Sequence, residues 1–178
     1  MDPLAILIIG GLVFPARIAA VPADRTTEYL AVAAHVAGSG KPNCIAFSSG
    51  DTTGSCLPRY TVKRGRRINA WAYQGNIQFS SAAIGRLSND QFALLAGHEI
   101  AHFYLGHTHS SVTTELEADM LGALLACRAG YRIDAAAGLY RYARAGRSYP
   151  SPKLRRKVIM DLAASAECGG NANPIIHY

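Results

Sequence analysis

The stretch "LLAGHEIAHFYLGHTHSSVTTELEADMLGALL", residues 94–125, decides how this chain folds. In it His98, His102, His107 and His109 stand with Glu99, Glu115, Glu117 and Asp119 among Leu, Ala, Ile and Phe that would ordinarily be buried. An isolated buried charge is costly unless it is neutralised or meets a counter-charge. Something must hold these groups inside, and their spacing indicates what.

In "HEIAH" (98–102), His98 and His102 are four residues apart, so on a helix they leave one face a turn apart and both imidazoles reach one metal ion. Zinc held by two histidines needs a third protein ligand and, in a catalytic site, keeps one position for water. The all-histidine pattern fails, because it needs a glycine and a histidine where the chain has Leu105 and Thr108. A carboxylate from another helix remains, and "ELEAD" (115–119) supplies it. Glu115 and Asp119 share a helical face while Glu117 points away. Glu115 is therefore expected as the third ligand, and Asp119 as the acceptor that orients a zinc-bound imidazole. Glu117 is read as solvated. Glu99 is the expected general base, accepting a proton from water and delivering it to a leaving amine. His107 reads as a capping or packing residue, His109 as an exposed loop residue with a minor chance of capping the metal, and His35 and His177 carry no signal.

Outward from this segment, the texture predicts helices on one side and strands on the other. "RTTEYLAVAAHVA" (25–37) has helical apolar spacing and stops at Gly38 and Gly40. From 43 to 81, β-branched and aromatic residues punctuated by Gly, Asp and Ser predict strands near "NCIAFS", "RYTVKR", "INAWAYQ" and "NIQFSS", with turns at "SGDTTGS" and Gly75-Asn76. "AAIGRL" reads as a short helical turn. Ser88 with Gln91 forms a capping box that opens a helix to about Gly106, and further helices are expected over about 113–129, 134–145 and 152–167. The expected fold is α+β, a small, mostly antiparallel sheet beside a helical bundle, with the metal between the two motif helices.

The chain has 178 residues, a length that suits one domain over 24–178 after a leader at 1–23. The leader reading rests on the apolar run Leu4 to Phe14, too short to span a bilayer, and on small residues at Ala20 and Ala23. Asp2 stands where such leaders carry a basic residue. Export to the periplasm or outside the cell then makes disulfides the expected fate of four cysteines, Cys44 with Cys56 and Cys127 with Cys168. The net charge is +6, with basic clusters "KRGRR" (63–67) and "KLRRK" (153–157). Neither is interleaved with aromatics, so nucleic acid is not an expected partner.

"NAWAYQGNIQFSSAAIGRLSNDQFALLAGHEIAHFYLGH" followed by "ELEADMLGALLACRAGY" resembles the HtpX and CAAX-prenyl-protease type of zinc metallopeptidase, metallopeptidase family forty-eight of the gluzincin clan, over roughly residues 27–160. The resemblance implies one zinc ion on His98, His102 and Glu115, with Glu99 as general base. It implies that the strand Asn69, Ala70, Trp71, Ala72, Tyr73 pairs with extended substrate. The family's His-Pro element and following Arg correspond to "SYPSPKLRR", putting Tyr149 where the His is expected and Arg155 where the Arg is. Tyr149 would then serve as an oxyanion donor. The family's multi-span membrane elements are absent, so the likeness is to small exported members associated with degrading misfolded envelope proteins. The expected activity is endopeptidase cleavage of extended or unfolded polypeptide. The rival readings are a zinc-stabilised peptide-binding or chaperone-like module with an occluded metal, and a membrane-surface protein using its basic C-terminal helix.

Overall fold

Two long helices carry the motifs, and their ends are set by local chemistry. The computed structural model describes residues 5–9, 12–16, 23–39, 58–73, 75–143 and 145–169. Helix α3 (Asn89–Leu105) starts at the expected capping box, with Gln91 N–H donating to Ser88 Oγ at 3.2 Å and Ser88 N–H to Gln91 Oε1 at 3.3 Å. It stops at Gly106, whose φ of 66° is left-handed and suits a residue without Cβ. Helix α4 (Val112–Arg128) starts on a second box between Ser111 and Thr114 and is followed by Gly130 at φ 87°.

Around this pair, α1 (Ala23–Gly38) packs against α3, and α6 (Pro152–Ala163) against α4. The ring of Phe92 on α3 lies 4.6 Å from Tyr29 on α1 and 4.7 Å from Phe79 on the sheet, so aromatic contact ties three elements into one core. The C-terminal region is more broken than its periodicity predicts. The helix expected over 134–145 is a short α5 (Ile133–Ala136) running into a 3₁₀ segment, Ala137–Tyr142, that turns Tyr140 toward the metal site. The helix expected over 152–167 ends at Ala163, and α7 (Ala166–Gly169) follows a bend where Ser165 Oγ donates to the Leu162 carbonyl. That bend sets Cys168 against Cys127 in the expected disulfide. Its loop of 41 residues stabilises the fold by about 4 kcal/mol in the chain-entropy account. Cys44, Cys56, the strand expected at "NCIAFS", the turn at "SGDTTGS", Gly40 and His177 lie outside the described residues.

The main sheet is mixed, with order β3-β5-β4 for β3 (Arg59–Lys63), β4 (Ala70–Tyr73) and β5 (Asn76–Ser80). β5 pairs antiparallel with β4, from Ala70↔Phe79 to Tyr73↔Asn76, and parallel with β3, from Arg59↔Asn76 to Lys63↔Ser80. The expected mostly antiparallel arrangement thus gives way at one of two pairings. The last strand takes the centre and buries its apolar face: Ile77 and Phe79 are fully buried, whereas Trp71 and Tyr73 of β4 are exposed. β4 is left as an edge. A separate ribbon pairs β1 (Ala5–Ile9) antiparallel with β2 (Leu12–Ala16) across the segment read as the leader's apolar run.

Candidate metal centre and its cleft

The metal motif depends on how closely α3 and α4 approach. A Cβ built on Gly97 would lie 2.3 Å from the carbonyl oxygen of Gly122, and one on Gly122 would lie 2.5 Å from the Gly97 carbonyl carbon. The two backbones therefore touch where the helices cross, next to His98 and within two turns of Glu115. No side chain larger than hydrogen fits at either position.

This crossing brings His98, His102 and Glu115 together, with one donor atom from each within 4.8 Å of the others. His98 Nε2 and His102 Nε2 are 3.1 Å apart, and the Glu115 oxygens lie 3.4 Å from His98 Nε2 and 3.7 Å from His102 Nε2. Donors about 2.0–2.2 Å from a tetrahedral zinc ion sit about 3.3 Å from one another, so the donor set fits zinc in type and spacing.

Asp119 is fully buried beneath the triad. Its Oδ1 is 3.0 Å from His98 Nδ1 and accepts from Tyr140 OH at 2.8 Å, while Arg155 donates Nε to Oδ2 at 2.7 Å and Nη2 to Oδ1 at 2.6 Å. The guanidinium also stacks on the Tyr140 ring at 4.9 Å. Burial raises the Asp119 pKa, but the hydrogen bonds from His98 and Arg155 outweigh it and bring it down to about 2. For His98, burial lowers the pKa, yet the hydrogen bonds to Asp119 and Glu115 and the charge of Glu99 lift it to about 9 in the metal-free protein. His102 goes the other way, to about 4, through burial and the neighbouring His98 charge. In the metal-free site His98 therefore favours its protonated form and His102 its neutral one.

Arg155, expected among the catalytic residues, is thus buried and committed to Asp119, with Nη2 also 3.8 Å from Glu115. Glu99 is buried too. Burial raises its pKa, and Glu115 adds to the rise, against the pull of His98, Arg155 and a hydrogen bond from the Ala72 backbone N–H. That bond ties Glu99 to the edge strand. By the two-residue repeat of an antiparallel pair, Ala70 shares with Ala72 the free edge facing the cleft. Asn69 is not free, because its N–H donates to Ser80 Oγ at 3.1 Å and its carbonyl accepts from Ser80 N–H at 3.0 Å. The outward backbone groups of the edge are those of Ala70 and Ala72, of which the Ala72 N–H is held by Glu99.

Two features escaped the sequence reading. Tyr140 had no motif to mark it. His107 is no mere cap: its Nδ1 lies 2.9 Å from His102 Nδ1, and its Nε2 lies 3.1 Å from Glu117 Oε2. When His102 presents Nε2 to a metal, its Nδ1–H donates to His107 Nδ1, and His107 Nε2–H donates to Glu117. Glu117 is half solvated and also anchors this chain of contacts. His35 lies far from the site, with Nε2 3.1 Å from the Ala129 carbonyl.

These groups form the floor of a cleft of about 720 Å³, whose rim includes Trp71, His109, Tyr142 and Tyr149. Residues 46–114 match the model of peptidase family M48. Over this segment the chain is similar to that family. The matched segment includes β3 to β5 and all of α3, and it ends one residue short of Glu115. Among curated proteins no match to the chain is found. M48 enzymes are zinc-dependent peptidases, and a polypeptide is the substrate class of such a hydrolase. Among the described residues, no helix is long and apolar enough to cross a membrane.

Proposed function

We propose that this chain is an exported zinc endopeptidase of the M48 type that cuts extended or unfolded polypeptide. The observation that carries this reading is the convergence of His98, His102 and Glu115 on the floor of a cleft walled on one side by a free strand edge. His98, His102 and Glu115 would hold the ion, with Asp119, Tyr140 and Arg155 fixing His98, and His107 fixing His102. When bound, zinc supplies Lewis acidity that makes water a better nucleophile and polarises the scissile carbonyl.

The chain's own groups do the rest. The edge strand β4 pairs with substrate backbone through the outward Ala70 groups and the Ala72 carbonyl, which favours extended segments over folded ones. Glu99, buried and anchored by Ala72 N–H, takes the proton of the attacking water on its carboxylate and passes it to the departing amine nitrogen. Tyr149, exposed on the rim, is the group whose hydroxyl would donate to the developing oxyanion. Arg155 acts through Asp119 as a positioning residue. Export is supported by the apolar run at 4–14 and by the Cys127–Cys168 disulfide, which suits an oxidising compartment.

The test is hydrolysis of reduced, unfolded casein by the mature chain, before and after a zinc chelator and after zinc is restored. Cleavage that is lost and regained with the metal supports the reading. A chain that binds zinc yet never cuts casein contradicts it and favours an occluded binding module. Secretion is tested separately, by the N-terminal sequence of protein recovered from the periplasm or medium. An uncleaved, cytoplasmic product would refute it.

A further inference from the structure

The rim of the cleft carries charge that the reaction does not use. Arg66 and Arg67 lie just before the edge strand, and Arg86 closes α2 (Ser81–Arg86); all three are exposed and line the cleft. None forms an ion pair among the described residues, whereas Arg132, Lys157 and Arg155 each do. Among the described residues, the acidic groups lining the cleft are Glu99 and Glu115, both committed to the metal centre. Three cations thus face the cavity with no counter-charge of their own among the described residues, in a concave wall that concentrates their field.

We infer that the cleft selects polypeptide segments bearing acidic side chains on one side of the bond to be cut, held by Arg66, Arg67 and Arg86. This rests on the endopeptidase reading and narrows its substrate class. The one-sidedness follows from placement. A segment paired along Ala70 to Tyr73 meets Arg66 and Arg67 only at the end where β4 begins, so acidic residues at the other end gain nothing from them. The exposed Trp71 and Tyr142 offer the same segment apolar surface, so acidic side chains interspersed with large apolar ones fit the wall better than an acidic run.

The experiment uses internally quenched peptides that share one scissile bond and differ only in carrying three Glu, three Ala or three Lys on one side of it. Both sides are tested with the zinc-loaded full chain. Exposed pairs each contribute a factor of about two to five, so on one side kcat/KM for the Glu peptide should exceed that for the Ala peptide roughly tenfold, with the Lys peptide lowest. High salt should compress the series. The double variant Arg66→Glu/Arg67→Glu should invert the Glu-to-Lys order on that side only. Equal rates for the three peptides, or an order the double variant leaves as it was, would overturn the inference while leaving the endopeptidase reading intact. If no peptide is cut, that reading fails instead, and fluorescence anisotropy of the same peptides on the Glu99→Gln chain decides. Tighter binding of the Glu peptide, reversed by the arginine variants, sustains the inference; equal binding overturns it.

Discussion

Gly97 and Gly122 touch backbone to backbone, so close that a Cβ on Gly97 would sit 2.3 Å from the Gly122 carbonyl oxygen. Glycine inside a helix costs about 1 kcal/mol relative to alanine, so two of them at one crossing call for a packing reason. That reason is the metal site, since the distance between α3 and α4 sets the distance from His98 to Glu115. Gly97→Ala or Gly122→Ala should lower stability by about 1–3 kcal/mol through overpacking and should weaken zinc binding as well. Denaturant midpoints and zinc titrations check both effects; an alanine variant as stable and as zinc-competent as wild type would mean the helices need not be this close.

Asp119 joins His98, Tyr140 and Arg155, and its loss should be felt in folding before catalysis. Asp119→Asn leaves the Arg155 cation buried without its partner, which should cost about 3–5 kcal/mol in the metal-free protein. The pH dependence has a fixed sign. A carboxyl lowered from 3.8 to about 2 on folding contributes stability that is fully present above the unfolded value and is lost as pH falls through the folded one. The gap between wild type and variant should therefore narrow from about pH 4 down to about pH 2, read by urea unfolding across that range. A gap that stays constant would show that Asp119 is not held as an anion.

Metal uptake should release a proton. His98 carries one up to about pH 9 in the metal-free site, whereas a ligand imidazole must be neutral at the donor nitrogen. Zinc binding near pH 7.5 should thus free about one proton, and its affinity should rise about tenfold per pH unit until His98 titrates. Calorimetry in buffers of different ionisation enthalpy counts the proton. The same shift means that His98 stabilises the metal-free fold below its unfolded pKa of 6.5 and that this stabilisation is lost as pH rises through about 9.

His107 should matter for the metal more than for the fold. Removing the group that receives the His102 Nδ1 proton should weaken zinc about 10–100-fold, with metal-free stability nearly unchanged. His107→Ala measured by chelator competition and by thermal melting separates these two quantities. Glu117→Gln, which keeps an acceptor for His107 Nε2–H, should have a smaller effect. Equal zinc affinity in His107→Ala would leave His107 a packing residue, as its position after the helix first suggested.

The parts of this site that share a helix are readable as spacing. His98 with His102 and Glu115 with Asp119 follow from the four-residue repeat, and the capping box at Ser88 fixes where α3 begins. What joins one element to another leaves no such period. His107 meets Glu117 across a loop and a turn of α4, Tyr140 reaches Asp119 only because the chain tightens into a 3₁₀ segment, and Arg155 reaches Asp119 from α6. Strand order is hidden for the same reason: β3, β4 and β5 are equally strand-like in isolation, and only competition for burial puts Ile77 and Phe79 in the middle. Gly97 and Gly122 show in the sequence only as two small residues within apolar helices.

The central claim is that Glu99 moves the proton in a zinc-dependent peptide cleavage. It is tested most directly by the rate of casein hydrolysis by wild type and Glu99→Gln at matched zinc content and matched thermal stability. The account predicts that the variant binds zinc and folds as wild type does but loses at least about 100-fold in kcat, the low end of what general acid–base catalysis contributes. A zinc-loaded Glu99→Gln chain that cuts casein at the wild-type rate would contradict it.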